Sequence, residues 1–315
     1  MARELKFDFA NMEVATNALL CPNANEFYSK SYINEDIVGN YRTIPGVKYK
    51  TKLATTLFDQ VLQAENCTWA STDSILDAMD IDVCSLSGMV QICQFDIEKS
   101  FLSQWMAKGA QASYDVMGFM SHFWDTMSKE IQAEIELLRW TGLGSGSDPL
   151  LKLCEGYISK LREDDDVNKV VGTTSTVDNV IGEMTKVLQK LTVAAPALIS
   201  KPEDLRLFVA PNIALNYRIA AALGNTMTYI TKDLELTFLG IKIVVAQGMP
   251  ANYMVLTNNT NLIYAFDGEN DGKELKAVNL LESVNEPILR TRADVKVGFY
   301  YTNPEEIVLY GTVVS

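Results

Sequence analysis

Leu239-Gly240-Ile241-Lys242-Ile243-Val244-Val245, Tyr253-Met254-Val255-Leu256-Thr257 and Leu262-Ile263-Tyr264-Ala265-Phe266 succeed one another with short turn signals between them. The stretch that contains them, residues 238–310, closes on Arg290-Thr291-Arg292-Ala293-Asp294-Val295-Lys296-Val297-Gly298-Phe299-Tyr300. Runs of this length, rich in Val, Ile and aromatic residues and bounded by Gly, Asn and Pro, read as strands. They carry no catalytic constellation, so this quarter of the chain is a set of surfaces and a core.

Upstream lies the longest periodic element. From Ser113, a candidate N-cap, the residues Val116, Met120, Phe123, Met127, Ile131, Ile135 and Leu138 recur at steps of three and four. That is one apolar stripe of a 3.6-residue helix, with Asp125, Lys129, Glu130, Glu134 and Glu136 opposite and Gly142 as the stop. To Trp140 the element spans roughly 40 Å at about 1.5 Å per residue. A shorter helix, 96–106, is predicted before it.

Nearer the N-terminus, residues 1–46 hold no sustained period and read as an extended arm. Val47-Lys48-Tyr49-Lys50-Thr51-Lys52-Leu53 alternates in steps of two, and Ile81-Asp82-Val83-Cys84-Ser85-Leu86 is a second strand candidate. Together they form a long two-stranded excursion, which by itself cannot bury both faces. Beyond residue 150, two helical patterns are separated by Glu163-Asp164-Asp165-Asp166 and by Gly172-Thr173-Thr174-Ser175-Thr176, with Thr176 as cap of the second. Leu205-Arg206-Leu207-Phe208-Val209 is a buried strand, and Pro211-Asn212 opens a helix through Leu215, Ile219 and Leu223. The order is α+β rather than a regular βαβ series.

Composition narrows the function. The 315 residues, 48% hydrophobic and 21% charged, are those of a folded protein, and a net charge of −13 disfavours grip on nucleic-acid phosphates. No run is long and apolar enough for a membrane span, and acidic residues near Met1 do not fit a signal peptide. A cytoplasmic site of synthesis follows. Cys21, Cys67, Cys84, Cys93 and Cys154 are odd in number and lack a C-x-x-C pair, so reduced thiols are expected rather than disulfides or zinc.

Each candidate for chemistry falls short. His122 is the one histidine, too few for a histidine zinc triad, and its place between Met120 and Phe123 on the long helix reads as structural rather than as the base of a Ser-His-Asp set. Gly142-Leu143-Gly144-Ser145-Gly146 follows a helix, where a phosphate loop must follow a strand, and reads as a turn. Asp267, Glu269, Asp271 and Gly272 fit the early positions of a calcium loop, but its twelfth position is Val278. The run Glu163 to Asp166 reads as a solvated turn. No catalytic residue, metal ligand or cofactor is assigned.

The order of arm, flap, helix, long helix ending in a Gly-rich turn, mixed domain and returning strands resembles the Hong Kong ninety-seven type fold of tailed-phage major capsid proteins, shared with encapsulins. The stretches carrying the resemblance are Cys93-Gln94-Phe95-Asp96-Ile97-Glu98, Arg139-Trp140-Thr141-Gly142-Leu143-Gly144, and Leu239-Gly240-Ile241 leading to Gly248-Met249-Pro250-Ala251-Asn252. It implies an N-terminal arm over 1–46, an extended loop over 47–95, a peripheral domain with a spine helix over 96–149, an axial domain over 150–236, and strands shared between them over 237–315. It further implies a structural protein that is no enzyme. Such a subunit assembles with copies of itself into hexamers and pentamers of an icosahedral virion shell around double-stranded DNA, without sequence-specific contacts. Tyr49, Leu53, Phe58 and Trp69 on the flap are the subunit-interface candidates. Partners would be a separate scaffolding protein or none, a portal and decoration proteins; no large propeptide is expected. Lys48, Lys50 and Lys52 occupy the loop in which some members crosslink to a neighbour. The alternatives are an encapsulin compartment or a soluble α+β enzyme or binding protein.

Overall fold

The computed structural model describes residues 39–58, 74–93, 116–223, 236–267, 276–280 and 288–312. The helix expected over 96–106, the cap at Ser113 and most of the arm lie outside them. Five helices are described: α1 (Val116–Thr141), α2 (Tyr157–Glu163), α3 (Val180–Ala194), α4 (Pro196–Ile199) and α5 (Pro211–Leu223). The strands are β1 (Arg42–Pro45), β2 (Lys50–Phe58), β3 (Ser74–Asp82), β4 (Cys84–Cys93), β5 (Asn168–Val171), β6 (Leu205–Val209), β7 (Thr237–Phe238), β8 (Ile241–Val245), β9 (Met254–Asn258), β10 (Leu262–Phe266), β11 (Lys276–Asn279), β12 (Ile288–Tyr301) and β13 (Val308–Gly311).

They form three sheets. One, ordered β5-β13-β9-β6-β8-β7, mixes parallel and antiparallel pairs. A second is built on β12, whose residues Arg290 to Arg292 pair with β4 on one edge and β11 on the other, while β10 and then β1 continue from its C-terminal half. The third contains β2 and β3 alone, antiparallel from Lys50↔Asp82 to Phe58↔Ser74.

The decisive C-terminal stretch therefore divides between two sheets. β8 and β9 enter the first, β10 and β12 the second, and β13 returns to the first. The run starting at Leu239 is not one strand as its composition suggests. Leu239 and Gly240 both have positive φ, 52° and 85°, and make the two-residue turn between β7 and β8. A leucine there faces solvent, because the turn points away from the core.

Helix α1 follows its sequence stripe at Met127, Ile131, Ile135 and Leu138, which are buried; near its start Trp124 is buried where the stripe has the half-buried Phe123, and Glu136, read on the polar face, is buried as well. Its last turn carries Arg139 and Trp140, both almost fully enclosed. The Trp140 ring lies 5.4 Å from Tyr157 on α2 and 5.4 Å from Phe208 on β6. Tyr157 in turn meets Phe299 on β12 at 5.8 Å, and Tyr41 meets Phe208 at 5.0 Å. The Arg139 guanidinium stands over the rings of Tyr41 and Tyr264, 5.2 and 5.1 Å from their centroids. The aromatic faces offset part of the cost of removing this permanent cation from water. This cluster joins the long helix to both large sheets.

Three expectations need correction. Cys84 and Cys154, expected as thiols, are joined in a disulfide. They are separated by 70 residues in sequence, and their Cα atoms come to 5.8 Å because β4 sets Cys84 opposite Val297 of β12 while the segment after α1 brings Cys154 to the same Val297 carbonyl; Cys93 is free, and Cys21 and Cys67 lie outside the described residues. Thr176 does not cap α3, since Asn179 occupies that position and uses its Oδ1 to accept from the Thr176 N–H. Asn168-Lys169-Val170-Val171, unassigned by pattern, forms β5 because β13 offers it a parallel edge.

The close of α1 depends on tight backbone approaches. A Cβ on Gly142 would lie 2.2 Å from the Cys154 carbonyl oxygen, so the glycine that ends the helix serves contact rather than a left-handed turn. Gly248, after β8, sits against the backbone of Glu136, where a Cβ would come 2.1 Å from its carbonyl oxygen. The first oxygen belongs to the segment after α1 and the second to α1 itself, so neither can yield without a shift of backbone. Gly248→Ala is therefore expected to cost about 1–3 kcal/mol by overpacking, read as a lowered urea midpoint; an unchanged midpoint would show that α1 is not fixed against this sheet.

Candidate assembly surfaces

The β2–β3 hairpin packs on the rest of the chain at its root. Ile81 and Val47 pack with Ile263 and Ala265 of β10, and Leu53, Met79 and Tyr300 lie half-buried against them. The Asp82 N–H donates to the Tyr300 hydroxyl at 3.0 Å, and the Val83 N–H donates to the Tyr49 carbonyl at 3.0 Å. Along the strands Lys50 reaches Asp80 at 2.9 Å and Asp82 at 3.6 Å, and Lys52 reaches Asp80 at 3.9 Å. The hydrogen bond to Asp80 raises the Lys50 pKa, and the same bond lowers that of Asp80. Solvent screens these pairs, so they set register more than stability. Among the described residues no third strand pairs with the hairpin.

Of the four flap residues singled out by sequence, the structure separates the first two. Tyr49 is 76% exposed, with its ring 4.9 Å from the Lys296 ammonium. Leu53 instead turns toward the root cluster. Phe58 ends β2 opposite Ser74, and Trp69 lies outside the described residues.

Two further surfaces were not legible as such in the sequence. Met89 and Val90 on β4, with Phe123, Met127 and Ile131 on α1, line an open groove of about 440 Å³. Met89 is 65% exposed within it. Desolvation first, and then the neighbouring charge of Glu130, raise the pKa of Glu134 on the groove's rim. On α5, Leu215, Ile219 and Leu223 recur at steps of four and all face solvent, the last at 74%. Their period is that of a core stripe, and a sequence reading would bury them; the core side of α5 is instead Ile213, Ala214 and Ala220.

The titratable groups belong to the fold. Asp164, from the acidic run, accepts from the Tyr301 hydroxyl at 2.7 Å and from the Asp166 N–H at 2.9 Å, which closes the turn after α2. Lys160 donates to the Phe299 carbonyl at 2.7 Å beneath the Tyr300 ring, and burial lowers its pKa. Glu183 on α3 accepts from Tyr310 at 2.8 Å, Lys186 at 2.8 Å and Thr173 at 3.1 Å. His122 is exposed on α1. Asp267, first residue of the apparent calcium loop, is buried and faces Lys296 at 3.6 Å; Glu269, Asp271 and Gly272 lie outside the described residues. Among the described residues no group of three or more His, Cys, Asp or Glu is placed to hold a metal.

No protein-family model matches the sequence, and no curated protein does. Solved structures do match. The chain aligns over 93% of its length, and 99% of the other chain, with a subunit of the satellite phage P4 procapsid that includes the size determination protein, at a TM-score of 0.59 and 12% identity. A chain from Gordonia phage Cozz matches over 90% of this chain and 89% of its own, with a TM-score of 0.57 and 9% identity. A virus-like particle from Pyrococcus furiosus matches over 96% and 98%, with a TM-score of 0.51 and 12% identity. The fold is that of shell subunits. At such identities the Hong Kong ninety-seven type fold is shared while hardly any side-chain contact is, so the fold alone carries over.

Inside that fold, Glu183 makes a pH-sensitive contact. Desolvation would raise its pKa, but the hydrogen bonds from Lys186, Tyr310 and Thr173 outweigh it and hold the value below the ordinary 4.5. A carboxylate depressed in the folded state contributes stability that is complete above its unfolded pKa and is lost as pH falls through the folded one. Glu183→Gln is thus expected to unfold at lower urea than the parent at pH 7, with the gap closing below about pH 4.5. A gap that stayed constant down to pH 3 would contradict the assignment.

Proposed function

We propose that this chain is the major capsid subunit of a tailed bacteriophage, assembling with copies of itself into hexamers and pentamers of an icosahedral shell that encloses double-stranded DNA. The observation that carries this reading is a hairpin that packs on its own chain at its root and, among the described residues, pairs with no third strand, on a chain whose fold matches a chain of a phage procapsid over nearly its whole length. A two-stranded hairpin alone is marginal in water. Laid on a neighbour, it gains roughly 25 cal/mol for each Å² of apolar surface it covers.

In this reading residues 47–95 are the extended loop, with Tyr49 and Phe58 reaching a second copy. The groove beside Met89 receives a segment of another subunit. Residues 96–149 form the peripheral domain and 150–236 the axial domain, whose exposed Leu215, Ile219 and Leu223 meet their equivalents within a capsomer. Residues 237–315 supply strands to both, in keeping with β8, β9 and β13 in one sheet and β10 and β12 in the other. The shell works through its surfaces and has no active site. Many modest contacts in a closed symmetric array make one stable object. A net charge of −13 suits a wall that holds DNA without gripping its phosphates. Assembly takes place in the bacterial cytoplasm, with a portal and decoration proteins as separate chains and with a separate scaffolding protein or none.

The match to a virus-like particle keeps an encapsulin-type compartment as the second reading. Electron microscopy of the purified protein tests for a shell of either kind, and nuclease-protected DNA within particles from infected cells separates the two. Limited proteolysis gives a local readout: cleavage within residues 47–92 of free subunits is expected to be suppressed in particles. A protein that stays monomeric at high concentration, with that region equally protected throughout, would falsify both shell readings.

A further inference from the structure

We propose that Cys84 and Cys154 form a redox-controlled staple, open as thiols while the subunit is made and assembled, and closed once the particle leaves the reducing cytoplasm. The timing rests on the capsid reading above; the pairing does not. Cys84 is the second residue beyond the hairpin and the first of β4, opposite Val297 of β12. Cys154 lies in the segment between α1 and α2, its carbonyl oxygen against Gly142 at the end of the long helix. A Cα separation of 5.8 Å is one a disulfide spans without moving the backbone. The bond would tie the root of the hairpin to the end of α1.

Without it, β4 is still held on β12 from Cys84 onward, while the root between Val47 and Val83 rests on the short apolar cluster, the Val47, Asp82 and Val83 hydrogen bonds and the exposed ion pairs at Lys50. An open staple leaves only the short root ahead of the β4–β12 ladder to set the hairpin's angle as subunits meet. A closed one fixes that angle and links residues 70 apart, constraining the unfolded chain across β4 and α1. Cytosolic thiol pools keep such pairs reduced.

The exposure of the two sulfurs sets the order of chemistry. Cys84 is half-buried, while Cys154 is 3% exposed. The Cys84 thiolate attacks one sulfur of a low-molecular-weight disulfide, such as oxidised glutathione, and a glutathione thiolate leaves. The Cys154 thiolate then attacks Cys84 Sγ and expels the second glutathione. Two protein thiols lose two protons and two electrons, and one glutathione disulfide becomes two thiols.

The full-length protein is tested as free subunits, so failure to form shells registers separately from failure of the staple. Acid-quenched alkylation in expressing cells is expected to label both cysteines. After purification and treatment with oxidised glutathione, peptide mass spectrometry should recover a Cys84–Cys154 crosslink that dithiothreitol removes. Oxidation should raise the thermal midpoint by several °C and slow amide exchange at 80–88 and 142–156 about tenfold. Neither change should occur in the Cys84→Ser/Cys154→Ser variant; if that variant does not fold, the oxidised and reduced parent supply the comparison. Both thiols still alkylated after oxidation would overturn the pairing. A crosslink already present in acid-quenched cells would overturn the redox control, and a crosslink with unchanged exchange at 80–88 would overturn the staple role.

Discussion

The structure depends on how the long helix ends. Arg139 and Trp140 bring a permanent cation and the largest apolar side chain into one enclosed site, where Tyr41 from the strap before β1, Tyr157 from α2, and Phe208 and Tyr264 from the two large sheets meet them, with Phe299 packed behind Tyr157. A buried guanidinium is tolerated because two aromatic faces replace part of its hydration. The geometry is demanding, since the rings must come from elements distant in sequence. Once they do, the helix, the six-stranded sheet and the β12 sheet share one core.

From that rigid junction the less complete parts project. The strap carrying Tyr41 is fixed at Asn40, whose side-chain oxygen accepts from Arg206 Nε at 3.0 Å, and then runs as β1 beside β10. The hairpin leaves from the same edge, its root packed and its remaining length paired only with itself among the described residues. The exposed stripe of α5 and the groove beside Met89 have the same character: apolar surface left open among the described residues.

Several elements were legible because their signal is local. The stripe from Met127 to Leu138 needed one helical face, and Leu205–Val209 and Leu262–Phe266 needed no more than a continuous apolar run. Strand β5 was not legible, as Asn168-Lys169-Val170-Val171 has no pattern and forms by pairing with β13, far along the chain. The disulfide was missed for the same reason. Leu239 misled, because a leucine at positive φ is rare enough that pattern reads it as strand. The α5 stripe misled in the opposite sense, since a helical period reports that a face is apolar and not what covers it.

By itself the sequence determined the α+β order, the position and length of the long helix, the acidic balance and the lack of parts for familiar catalytic or zinc sites, all properties of composition or of residues within a few positions of each other. The tertiary structure decided which strands share a sheet, which cysteines meet, that Leu53 turns toward its own chain while Tyr49 faces out, and where apolar surface is left open. The division has a physical cause: periodicity encodes which face of an element avoids water, whereas partnership between elements is fixed by long-range packing and register, which no short window of residues contains.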